Sequence, residues 1–114
     1  MTVQRYLELT GKHLKTNRFC VYPIRPYIHC PDGYVVSVQA SENHYCEPRI
    51  NHAESYEKVE LGFPNQKDDL IMDYAEDPDN PTETVYGFVP IELVEKLIQK
   101  HGGIANIPDF DEED

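Results

Sequence analysis

The spacing of apolar and polar positions changes several times along these 114 residues, and each change marks an element. Over 2–10, Val3, Leu7 and Leu9 fall on one side, with Gln4, Tyr6, Glu8 and Thr10 on the other. That period of two predicts a half-buried strand. Gly11-Lys12-His13 then reads as a turn; it has neither the upstream glycine nor the following helix that a phosphate loop needs. Thr16-Asn17 is a second turn, and Arg18 to Tyr22 a short strand with Phe19 and Val21 on its apolar side.

The clearest local signal is Pro31-Asp32-Gly33. Proline presets φ, aspartate bonds its own backbone and glycine takes positive φ at little cost, so a three-residue hairpin loop follows. This loop pairs Cys30 with Tyr34, and hence Ile28 with Val36, Pro26 with Val38 and Ile24 with Ala40. That face is apolar throughout and turns Cys30 inward. The opposite face carries Arg25, Tyr27 and His29, facing Val35, Ser37 and Gln39. Pro23 and Pro26 place the first strand at a sheet edge, because proline cannot donate to a ladder.

Ser41-Glu42-Asn43 breaks the second strand, and His44 to Arg49 follows as a loop. Tyr56 to Phe63 is the next strand, with Val59, Leu61 and Phe63 inward and Lys58 and Glu60 outward, and Pro64-Asn65 ends it. Leu70, Ile71, Met72 and Tyr74 form a short anchoring segment ahead of an acidic loop. Thr84 to Val89 is a buried strand. Pro90 suits the first position of a helix, whose apolar stripe is Ile91, Val94, Leu97 and Ile98, with Glu92 and Lys96 as a supporting pair. Gly102-Gly103 after His101 stops that helix.

The expected fold is therefore α+β: a mostly antiparallel sheet of five to six strands with one C-terminal helix packed on one face, leaving the other face or an edge for binding. One domain spans 1–108, and residues 109–114 form an acidic disordered tail. No apolar run approaches the roughly 20 residues of a membrane helix, and the start of the chain alternates where a secretory signal would be continuously apolar. An odd count of three cysteines fits reduced thiols. A cytoplasmic protein is expected.

Charge sharpens the picture. The net charge is −11, but residues 1–50 carry six Lys/Arg against four Asp/Glu, while residues 51–114 carry four against seventeen. Such a surface is repelled by the phosphates of free nucleic acid, so direct nucleic-acid binding is not expected and basic proteins are favoured, and with no long apolar run no membrane partner is expected either. Acidic excess also serves solubility alone. The carboxylates singled out for a partner are Asp73, Glu76, Asp77, Asp79 and Glu83. Asp77-x-Asp79 resembles the opening of a calcium loop, but the sixth position is Thr82 and the twelfth Phe88, which excludes an EF-hand.

Residues 21–49 hold two of three cysteines, two of five histidines, two of four arginines and four of eight tyrosines. Zinc needs three or four converging ligands. His29, Cys30, His44, Cys46 and His52 have no Cys-x-x-Cys pair among them, so no metal and no cofactor is assigned. Cys46 near His44 suggests a thiol nucleophile, with nothing nearby to activate it. Arg25, Tyr27, His29, His44, Tyr45 and Arg49 could instead hold a nucleotide-like ligand by stacking and by Arg–phosphate hydrogen bonds.

The stretches VSVQASENHYCEPR (36–49) and VYGFVPIELVEKLIQKHGGI (85–104) resemble parts of small acidic proteins encoded by phages and prophages. That group includes inhibitors of bacterial defence, among them anti-CRISPR proteins that occupy nucleic-acid grooves. The resemblance implies a non-enzymatic inhibitor or modulator of a bacterial host protein with a basic surface, acting in the host cytoplasm and possible as a homo-oligomer. A nucleotide-signal sponge or sensor is the alternative, and a zinc- or thiol-dependent enzyme the weaker one.

Overall fold

The computed structural model describes residues 1–12 and 24–107, with the side chain of residue 12 left out. Among these the fold is α+β, with one four-stranded antiparallel sheet, two α-helices and one 3-10 helix. The elements are α1 (Val3–Lys12), β1 (Ile28–His29), β2 (Val35–Gln39), β3 (Lys58–Gly62), a 3-10 helix (Asp69–Tyr74), β4 (Val85–Pro90) and α2 (Ile91–Lys100). The sheet runs in the order β1-β2-β3-β4. The expected turn at Thr16-Asn17, the strand over 18–22 and the tail over 109–114 lie outside the described residues. No helix among the described residues is long and apolar enough to cross a membrane.

The first expected strand is α1, so the helical period wins over the period of two. Val3, Tyr6, Leu7 and Thr10 are all buried and stand at i, i+3, i+4 and i+7, one stripe of a helix. Leu9, also buried, made the alternation look complete. Thr2 caps the helix by accepting from the Arg5 amide at 3.0 Å, and Glu95 of α2 supplies a carboxylate to the Val3 and Gln4 amides at 2.8 and 3.3 Å. Both groups satisfy helix N-terminal donors, and the charge of Glu95 complements the dipole. Gly11 and Lys12 continue the helix rather than turning.

The hairpin has the expected loop. The Cys30 amide donates to Tyr34 O at 2.8 Å, Gly33 has φ 97°, and Ile28 pairs with Val36. The ladder stops there, however, and the expected pairs of Pro26 with Val38 and Ile24 with Ala40 do not form. Upstream the alternation inverts: Ile24 is 57% exposed and Pro26 is exposed, while Arg25 is buried. The cause is a side-chain substitute for a strand. Gln39 accepts from the Arg25 amide and donates to the Arg25 carbonyl, both at 2.8 Å, so residue 25 pairs with an amide side chain where Pro26 cannot donate.

The Arg25 guanidinium donates to Ala40 O at 2.7 Å and twice to Leu7 O at 3.2 and 3.3 Å. It thus ties α1 to the end of β2. Burial lowers its pKa, and nearby Tyr56 partly opposes this.

The core gathers Tyr6 and Leu7 of α1, Val36 and Val38 of β2, Val59 and Leu61 of β3, Ile71, Tyr86 and Val89, and Val94 and Leu97 of α2. Phe63, expected inward, is 47% exposed with φ 49° just past the end of β3. Pro90 closes β4 and caps α2 rather than opening its first turn. Gly102 and Gly103 end α2 with φ 100° and 96°. The outer edge of β1 is covered, since Ala105 N donates to His29 O and Asn106 bonds both His29 N and Tyr27 O.

Replacing Arg25 by Met removes the donor that the buried Ala40 carbonyl has in Arg25, while the Leu7 carbonyl keeps Thr10 Oγ1 at 3.4 Å. An unsatisfied buried polar group costs about 1–3 kcal/mol, so Arg25→Met should destabilise the protein by about 2 kcal/mol in a urea titration.

Candidate functional site

The site is built around an irregularity in β4. Val59 pairs with Val89 and Leu61 with Tyr86, so Gly87 and Phe88 together oppose the single residue Glu60. That is a β-bulge, which bends a strand and re-aims its side chains. Phe88 has φ 53°, a left-handed conformation unfavourable for a bulky residue by roughly 1–2 kcal/mol. Its ring is turned outward and is 43% exposed, against the expectation of a fully buried strand.

Tyr45 is held against this bulge on both sides of its backbone. Its amide donates to Glu60 Oε1 at 3.0 Å, and its carbonyl accepts from the Phe88 amide at 3.0 Å. A Cβ on residue 87 would lie 3.3 Å from Tyr45 Cβ, so glycine suits this close approach. The Tyr45 and Phe88 rings then meet at 5.8 Å between centroids with planes tilted 37°. Arg49 places its guanidinium carbon 5.4 Å from the Tyr45 ring centroid. Tyr45, Tyr74, Glu76, Gly87 and Phe88 line an open concavity of about 240 Å³.

Tyr74 and Glu76 reach the pocket through the 3-10 helix. Ala75 leaves that helix in extended conformation and bridges Tyr86, and Glu76 N donates to Val85 O at 3.0 Å. Tyr74, the last residue of the helix, and Glu76, just past the extended Ala75, both line the pocket. The other end of the 3-10 helix is fixed by Asp68, whose buried carboxylate accepts from Leu70 N at 3.0 Å and from Lys100 Nζ at 3.0 and 3.1 Å.

His101 completes this anchor. Its Nε2 lies 2.8 Å from Asp68 Oδ2 and its Nδ1 2.6 Å from Asp32 Oδ2, and its ring stacks on Tyr34 with centroids 4.0 Å apart. Two carboxylates facing both ring nitrogens require both to be donors, which is the imidazolium form. Burial disfavours that charge, but the hydrogen bonds to Asp32 and Asp68 outweigh it and raise the His101 pKa. Burial pushes the Asp68 carboxyl up, and the bonds from Leu70, His101 and Lys100 more than reverse this, leaving it below the ordinary value.

After Glu76 the chain forms an ordered acidic turn. Thr84 Oγ1 accepts from Asp77 N, and the Asp77 carboxylate accepts from Asp79 N at 3.3 Å and from the Asn80 amide group at 2.9 Å. The Tyr86 hydroxyl closes the turn on Pro81 O. Asp73, Glu76, Asp77, Asp79 and Glu83 are all exposed.

The six residues considered for a nucleotide-like ligand are divided. Arg25 is buried against α1, Tyr27 and His29 lie on the β1 side of the sheet, and Tyr45 meets β4 at the opposite edge. Tyr45 and Arg49 stay together. His44 is buried beside them in sequence, with Nδ1 2.7 Å from Ser41 Oγ, and burial lowers its pKa. Cys46 is buried with its thiol on Ser41 O at 3.1 Å, and burial raises its pKa; Cys30 is pushed up to about 11 by burial and Asp32. Among the described residues no group of three or more His, Cys, Asp or Glu is arranged to hold a metal ion.

Phe88 and Gly87 were not singled out from the sequence. A glycine inside a strand pattern is a bulge signal, and Tyr86-Gly87-Phe88 carries it. No family model, curated protein or solved structure matches this chain.

The His101 anchor should give stability a definite pH dependence. A histidine whose folded pKa is raised contributes fully below its unfolded value, near 6.5, and that contribution fades as pH rises through the folded value. Stability from chemical denaturation should therefore fall as pH rises above about 6.5. His101→Gln should flatten this limb. His44 acts in the opposite sense: its lowered pKa makes stability fall as pH drops below about 6.5.

Proposed function

We propose that this chain is a non-enzymatic binding protein that takes up a basic surface of a partner protein. The observation that carries the reading is the place of Glu76. It lines an aromatic pocket and opens a run of exposed carboxylates held on a hydrogen-bonded turn. Preordered charges lose little freedom on association, and their field steers an oppositely charged partner.

A partner whose basic surface normally meets nucleic acid is the one charge complementarity favours, because carboxylates at such a groove compete with phosphate. On this reading the protein inhibits or modulates a bacterial nucleic-acid-handling or defence protein in the host cytoplasm. Glu76 in the lining disfavours a phosphate there, which weighs against the nucleotide reading that Tyr45 and Arg49 would otherwise support. The raised thiol pKa values at Cys30 and Cys46 weigh against a thiolate nucleophile.

The test is capture from bacterial lysate on immobilised protein, compared with a Glu76→Gln, Asp79→Asn, Glu83→Gln triple variant. The unmodified chain should retain proteins that heparin elutes, and the variant should retain them at least about tenfold more weakly, or about 1.4 kcal/mol. Equal retention by the two would refute the acidic surface.

A further inference from the structure

We propose that the pocket of Tyr45, Tyr74, Glu76, Gly87 and Phe88 receives one alkylammonium head group, a lysine side chain of the partner, and that N-methylation of that lysine tightens the fit. The inference rests on the basic partner proposed above and names the group that enters the concavity.

Three observations carry it. The first is composition: three aromatic side chains and one carboxylate line an open concavity of about 240 Å³. Aromatic faces attract a cation within about 6 Å of the ring centroid, and more strongly once it is desolvated. Tyr45 already draws a cation of this chain, since Arg49 stands 5.4 Å from its centroid.

The second is conformational. Phe88 is bulky, left-handed and half exposed, so neither backbone preference nor core burial accounts for a phenylalanine there. Glycine would take the same backbone freely. What phenylalanine adds is a ring turned toward Tyr45 in the pocket. Strain of this kind persists where the site needs the side chain.

The third is donor accounting. Among the described residues Glu76 is the one carboxylate in the lining. A guanidinium brings five N–H donors and a lysine ammonium three. Methylation replaces donors with apolar groups that pack on the rings, while the charge remains for Glu76 and the aromatic faces.

The test is NMR titration of the full chain with Nα-acetyl-lysine methylamide, its Nε-trimethyl derivative, the arginine counterpart and the uncharged norleucine counterpart. Ring resonances of Tyr45, Tyr74 and Phe88 should shift with the ammonium compounds. The trimethyl form should bind at least fivefold tighter than lysine, arginine should bind more weakly than lysine, and norleucine should leave the rings unmoved. Phe88→Gly and Tyr74→Leu should each weaken trimethyl-lysine binding at least fivefold, and Phe88→Gly should melt no lower than the unmodified chain. Arg49→Gln removes a competing cation and should tighten binding.

Weaker binding by Arg49→Gln would point to an anion site and overturn the proposal, as would equal shifts with norleucine. Absent ring shifts alongside intact lysate capture would sink the pocket while leaving the acidic surface standing. Ring shifts without charge-dependent capture would uphold the pocket and sink the acidic surface.

Discussion

Two carboxylates drawn to one small ring are stable together only if that ring carries a positive charge. Asp32 comes from the hairpin loop, Asp68 from the entry to the 3-10 helix, and His101 from the end of α2. A neutral ring could donate to only one of the two carboxylates, leaving buried Asp68 to Leu70 N and Lys100, or Asp32 to Tyr34 N. The protonated ring therefore fixes three segments that are distant in sequence. Tyr34 stacks on it from the hairpin, and among the described residues its buried hydroxyl has no hydrogen-bond partner. The same contact sets the start of the 3-10 helix, whose far end delivers Tyr74 and Glu76 to the pocket. The fold's charged anchor and its candidate site are two ends of one short element.

The acidic excess divides by role. Asp68 holds the anchor, Glu95 caps α1 across the helix pair, and Glu60 holds the Tyr45 amide. These carboxylates meet donors that the backbone would otherwise leave open. Asp73, Glu76, Asp79 and Glu83 stay exposed on the run that begins in the 3-10 helix. Net charge alone cannot separate these groups, and a sequence-level count treats all of them as surface. Of this exposed set, Glu76 stands in the lining of the aromatic pocket.

Much of the sheet was legible because its signals are local. Pro31-Asp32-Gly33 fixes a loop, the loop fixes the Ile28–Val36 register, and the apolar stripe of α2 follows from its spacing. Helix α1 was misread because Val3 and Leu7, four residues apart, satisfy both periods and Leu9 extends the alternation, so that Tyr6 and Thr10, assigned outward, decide between them. Arg25 was misplaced for a different reason: its burial depends on carbonyls of Leu7 and Ala40 and on the Gln39 side chain, none of which local spacing reveals. The site was half visible. Glu76 and Tyr45 were both singled out, but for separate surfaces, because the bulge and the Tyr45–Phe88 backbone bond that join them are long-range.

Left-handed backbone at a large residue does not by itself identify a site, since Phe63 shares it at the end of β3. The difference at Phe88 lies in what surrounds the strain. The extra residue in β4 lets the Phe88 amide bond Tyr45 O, glycine before it admits Tyr45 at close range, and Glu60 opposite holds the Tyr45 amide. Each of these local choices is unfavourable or neutral for a regular strand, and all of them act on the placement of two rings. A sequence usually agrees with its fold at every level, so several departures converging on one exposed contact mark a place where something other than folding set the residues. In this chain that place is the aromatic wall beside Glu76.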